Sequence, residues 1–184
     1  MEKLVDNGTC RSIGVSNYPL LLLQDLVTQA RIPVSCNQIE THVYYTRRSL
    51  VNYCLSRNIC VTAHTPLGGG KANEDYDPTY VSPLQNSVVN AIAASKKANG
   101  ATPATILLRF LLQSGIVVLP KSVKVSRMKE NINVFGTAMA LSAEEMTQLS
   151  NLDKYKSYKT NPNPINAVLG GPDAFTTDGT DIFD

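Results

Sequence analysis

The side chains of this 184-residue chain that could do chemistry stand where its apolar runs end. Ser16-Asn17 closes the run RSIGV (11–15), Asn37-Gln38 lies near the end of VSCNQI (34–39), His64-Thr65 follows ICVTA (59–63) and Lys121-Ser122 follows IVVLP (116–120). Amides and hydroxyls orient a polar ligand by hydrogen bonds, and an imidazole can also take up a proton near neutral pH. Lys121 leaves a strand end, and Arg127 lies in or just before the first turn of the helix that follows. Two cations at a helix N-terminus suit a phosphate; without a ligand the same pair is a solvated face. One such polar pair is ordinary loop chemistry, but four at four strand ends point to a ligand site there.

Other chemistries find little support. His42 and His64 are the only histidines, and no Cys/His/Asp cluster has metal-ligand spacing. His42 reads as a loop histidine with a local hydrogen bond. No G-x-S-x-G elbow is present. Gly68-Gly69-Gly70 is a flexible loop rather than a phosphate cradle, since neither G-x-x-x-x-G-K-[ST] nor G-x-G-x-x-G occurs. Cys10, Cys36, Cys54 and Cys60 form no C-x-x-C pair and read as small buried thiols of a reducing cytosol. A net charge of +2 with scattered cations makes no nucleic-acid surface. No apolar run approaches the roughly 20 residues that span a bilayer, and the start MEKLVD has no signal-peptide core. The expectation is a cytoplasmic protein with no nucleic-acid or membrane partner and no metal.

These residues need elements to position them. Hydrophobic residues are 43% of the chain, enough for a packed core. Helical spacing of apolar residues predicts helices over 20–30, 49–57 and 87–99. Asn58 and Gly100 serve as stops. Thr102 as N-cap with Pro103 opens another helix, which ends at Gly115. Helices over 125–133 and 143–152 follow, the second opened by a Ser142/Glu145 capping box. Between them the runs 11–15, 34–39, 59–63 and 116–119 read as strands, continuously apolar and so as a parallel sheet covered by helices. In such folds ligands bind outside the carboxyl ends of the strands. Residues 68–83 form a loop, with turn chemistry at Asp77-Pro78 and Ser82-Pro83. From 154 on, Asn161 to Pro164 (NPNP), Gly170 to Pro172 (GGP) and Asp178-Gly179 mark an irregular tail, whose Ile165, Val168, Leu169, Phe175, Ile182 and Phe183 suggest partial docking.

The segments GTCRSIGVSN (8–17), NQIETH (37–42), VTAHTPLG (61–68) and VVLPKSVKVSRMKEN (117–131) resemble those of the aldo-keto reductase family, in its aldose-reductase-like branch. Thr102-Pro103-Ala104 and Leu141 to Glu145 also fit. The resemblance is collinear to about residue 153. It implies an α/β fold, the C-terminal half of a (β/α)8 TIM barrel (strands five to eight with their helices), as one partial domain over 1–153 followed by the tail over 154–184. It also implies reduction of small aldehydes and ketones with NADPH.

By resemblance, Ser16, Asn17 and Gln38 hold the nicotinamide carboxamide. Thr65, Leu67 and Gly69 lie along the pyrophosphate path, and Lys121, Ser122, Arg127, Glu130 and Asn131 surround the adenosine and its 2′-phosphate. His64 takes the place of a family tyrosine that stacks on the nicotinamide, and Val43 stands where a proline commonly follows the residue matching His42. The family's catalytic Tyr, Lys, Asp and His belong to its first half, so no catalytic residue is assigned. The expectation is therefore a fragment of a reductase. The alternatives are a non-catalytic NADP-binding regulatory module and a half-barrel that self-associates.

Overall fold

A computed structural model describes residues 1–69, 79–155 and 157. Gly70, the Asp77-Pro78 turn and the tail residues from 158 on lie outside the described residues. The elements in order are α1 (Glu2–Asp6), β1 (Ile13–Ser16), α2 (Leu20–Gln29), β2 (Val34–Glu40), α3 (Arg48–Ser56), β3 (Cys60–His64), α4 (Ser87–Ser95), α5 (Pro103–Gln113), β4 (Val117–Val118), α6 (Val125–Ile132) and α7 (Ala143–Ser150). Short 3-10 turns cover Pro83–Gln85, Lys97–Asn99, Asn133–Phe135 and Thr137–Met139.

The four strands form one sheet in the order β1-β2-β3-β4, and every pair is parallel. Gly14 sits where the β1–β2 register slips between Ile13 and Val15. A Cβ there would stand 2.7 Å from the Cys36 carbonyl oxygen, so only glycine allows the strands to close on each other at that point.

The helices end as their stop residues direct. Asn58 at φ 57° and Gly115 at φ 79° are left-handed, and the N–H groups of Ile59 and Ile116 reach back to the carbonyls of Cys54 and Leu111. Both capping boxes close: Thr102 pairs reciprocally with Thr105, and Ser142 with Glu145. The helix expected over 87–99 runs as α-helix only to Ser95 and continues as the 3-10 turn Lys97–Asn99. The strand expected over 116–119 contracts to Val117–Val118, because the N–H of Ile116 is spent on closing α5.

The described helices pack on one face of the sheet. Asn37, Ile39, Val61 and Ala63 point into the helical layer and are fully buried, together with Leu50 and Cys54 of α3 and Ile106 and Leu107 of α5. Their strand neighbours point the other way: Cys36, Gln38 and Glu40 on β2, and Cys60, Thr62 and His64 on β3, in register across the pair. On that face Cys60 and Val117 are exposed. The expected continuously apolar strands thus alternate, with a polar second face. The cysteines depart from expectation accordingly: Cys54 alone is buried, Cys10 and Cys36 are half-buried and Cys60 is exposed.

Candidate functional site

The carboxyl ends of β1, β2 and β3 converge because the sheet is parallel and in register, with Ser16 opposite Gln38 and Glu40 opposite His64. Asn17 turns out of β1 at φ 58°, its N–H donating to the Gln38 carbonyl at 2.8 Å. Ser16 Oγ donates to the same carbonyl at 2.9 Å, and Asn17 Nδ2 donates to Ser16 Oγ at 3.2 Å. His64 Nε2 lies 3.0 Å from Asn17 Oδ1, and His64 Nδ1 lies 3.1 Å from Thr65 Oγ1. Five of the sequence-selected residues therefore form one hydrogen-bonded cluster across three strand ends. Asn37 does not join it: its side chain points among the helices and donates to the Tyr18 carbonyl at 2.9 Å.

Beyond Thr65, itself left-handed at φ 56°, a turn closes with the Gly68 N–H on the Thr65 carbonyl at 2.9 Å. The Tyr80 hydroxyl donates to the Gly68 carbonyl. Leu67 lies within this turn and Gly69 follows it, both half-buried.

The second group of candidates surrounds the start of α6. Lys121, Lys124, Arg127 and Lys129 are exposed within nine residues. Ser122 accepts from the Lys124 N–H at 3.1 Å, a local turn that aims the chain into the helix. No side chain caps the first turn of α6, and its N-cap is Lys124. Uncapped N–H groups with cations around them offer a polyanion what it needs. Arg127 falls in the first turn, as expected. Glu130 is used differently: its carboxylate accepts from the Thr102 hydroxyl and so braces the start of α5 against α6. Asn131 is half-buried beside it.

Sequence reasoning did not single out Glu40. It is buried at the end of β2, with its carboxylate 3.2 Å from His42 Nε2 and accepting from the Ser157 hydroxyl. The Tyr44 N–H donates to His42 Nδ1 at 3.3 Å, so Nε2 carries the imidazole proton toward Glu40. His42 makes the local hydrogen bonds expected of it, with Glu40 and with the Tyr44 N–H, and is fully buried. The period-2 spacing of Cys36, Gln38 and Glu40 was the available signal, since it puts Glu40 on the face of Gln38.

The cluster offers hydrogen-bond donors and acceptors to a polar ligand, and the α6 start offers cations and backbone N–H groups to an anion. A separate cavity of about 250 Å³ lies between α3, α5 and α7, lined by residues including Arg48, Asn52, Phe110, Ser114 and Ser150. None of the residues selected from sequence lines it. Among the described residues no group of three or more His, Cys, Asp or Glu could hold a metal ion. No helix among them is long and apolar enough to cross a membrane.

The model of the Aldo/keto reductase family matches residues 1–154. The NADP-dependent D-sorbitol-6-phosphate dehydrogenase of Malus domestica is 42% identical over 160 residues, covering 87% of this chain and 49% of that protein. The human aldo-keto reductase family 1 member C2 is 37% identical, covering 87% of this chain and 49% of that protein. The aldose reductase of Schistosoma japonicum superposes with a TM-score of 0.72 at 37% identity, over 85% of this chain and 46% of that one. An aldo-keto reductase of the silkworm Bombyx mori gives 0.75 at 29% identity, over 86% of this chain and 46% of that one. The chain spans about half the length of the relatives it matches.

Proposed function

The chain belongs to the aldo/keto reductase family, and we propose that it supplies the cofactor half, strands five to eight, of an NADPH-dependent reductase of small aldehydes and ketones. Residues 1–153 are the partial barrel in this reading, and 154–184 the tail. The observation that carries it is the cluster of Ser16, Asn17, Gln38, His64 and Thr65 at the carboxyl ends of β1–β3. Bound NADPH supplies a hydride for a carbonyl carbon. This chain's own residues bind and orient. Ser16, Asn17 and Gln38 hold the carboxamide, and the Thr65–Gly69 turn carries the backbone past the pyrophosphate. Lys121, Ser122, Arg127 and Asn131 face the adenosine 2′-phosphate, Glu130 fixing the start of α5 behind them.

Affinity tests the assignment. The 2′-phosphate distinguishes NADPH from NADH and carries about two negative charges. Charge-assisted hydrogen bonds to it contribute about 1.5–3 kcal/mol each, so Arg127→Ala should weaken NADPH binding roughly 10- to 100-fold. Arg127→Lys should cost less, because lysine keeps the charge and loses the fork. NADH affinity should barely move. Fluorescence titration of the 184-residue chain with both cofactors measures this. Equal losses for the two would place Arg127 in fold stability and refute the phosphate assignment.

One observation favours a second reading, a half-barrel that pairs with a copy of itself. Among the described residues β1 and β4 each pair with one strand only and the helices pack on one face of the sheet, and two four-stranded sheets supply the eight strands a closed barrel of this kind uses.

A further inference from the structure

His64 stands where the family resemblance puts a stacking ring, yet its contacts describe another role. An amide oxygen has no proton to give, so the 3.0 Å contact from His64 Nε2 to Asn17 Oδ1 is a hydrogen bond donated by Nε2. In the neutral ring Nδ1 is then the acceptor, and the Thr65 hydroxyl donates to it at 3.1 Å. Asn17, its oxygen engaged, donates through Nδ2 to Ser16 Oγ, which donates to the Gln38 carbonyl. The hydrogen bonds run one way, from Thr65 across three strand ends. With Nε2 protonated, turning the Asn17 carboxamide over would set Nδ2–H against Nε2–H; the reversed chain requires His64 to carry its proton on Nδ1 and Ser16 Oγ to give up the Gln38 carbonyl.

We infer that His64 is a positioning residue that holds the Asn17 carboxamide in one orientation, so that Asn17 presents N–H, and not C=O, to a ligand at the strand ends. The matching ligand group is an amide carbonyl oxygen. The inference rests on the cofactor reading above and adds to it how this chain manages without a phenol ring at position 64.

Stacking and positioning predict opposite rankings of two variants. Phenylalanine keeps a flat ring and loses the donor; glutamine keeps a donor and loses the ring. The expected result is that His64→Phe weakens NADPH binding about 10-fold, whereas His64→Gln stays within about 3-fold of the wild-type chain. The reverse ranking would overturn the inference in favour of stacking. A second measurement needs no cofactor. Long-range 1H–15N spectra of the free chain should show His64 protonated at Nε2 and bare at Nδ1. The Asn17 side-chain amide signal should shift in His64→Phe. A bare Nε2, or an Asn17 signal indifferent to the substitution, would overturn the inference whatever the cofactor does. If those signals behave as expected and the wild-type chain fails to bind NADPH, the cofactor reading fails and the hydrogen-bond chain stands.

Discussion

Cys54 and Cys60 are six residues apart and live in different solvents. Cys54 lies on α3 against the sheet, fully buried, and burial pushes its thiol up to about 11. Cys60 opens β3 on the face turned away from α3 and is exposed. The thiolate is the nucleophile, and at pH 8 a thiol of that pKa is ionised at roughly the 0.1% level. Iodoacetamide at pH 8 should therefore alkylate Cys60 and leave Cys54 untouched until the chain unfolds, as peptide mass spectrometry would read; early labelling of Cys54 would contradict its placement. The folded chain binds the Cys54 proton more tightly than the unfolded chain does. Its contribution to stability is complete below the unfolded thiol's pKa, about 8.5, and is lost as pH rises toward 11. The polar pairs at 16–17, 64–65 and 121–122 could be read from sequence because each interrupts an apolar run. The His42–Glu40 pair could not, because nothing local tells a loop histidine from one that a β-bridge to Tyr45 folds inward.

At the scale of elements, local chemistry decided most of the outcome. Ser142 and Glu145 announce α7, and Thr102-Pro103 announces α5; both boxes are closed. The short α1 has too few residues for a periodic signal, and it is held by long-range contacts: Glu2 accepts from the Arg31 and Ile32 N–H groups at 2.8 and 2.9 Å, and Asp6 pairs with the Arg31 guanidinium at 2.7 Å. Two-residue β4 shows the opposite limit, where the start of an apolar run is taken up in closing the helix before it. The Ser142 cap is testable in isolation. Ser142→Ala removes the acceptor for the Glu145 N–H at the head of a helix whose Leu149 is fully buried. It should cost about 1 kcal/mol, a fall in Tm of roughly 2–4 °C for a chain of this size. A variant that melts with the wild type would show that α7 is held by packing alone.

At the scale of the molecule, the parallel sheet and its helices were legible in the alternation of strand and helix patterns. The polar second face was not, because Cys36, Gln38, Thr62 and His64 look like ordinary strand residues until register sets them side by side. Among the described residues β1 and β4 each have one strand neighbour, and strand edges of that kind favour association. Gel filtration over a range of concentrations should show the chain growing in apparent size, and a monomer at all concentrations with a cooperative melt would contradict that reading. A dinucleotide held along the strand ends can be seen by titrating NADPH into the 15N-labelled chain and mapping the amide shifts. Changes are expected at Ser16, Asn17, Gln38, His64 and Thr65 together with Lys121 to Asn131, the latter group responding to NADPH more than to NADH. Shifts confined to the cavity between α3, α5 and α7, or none at the strand ends, would contradict it.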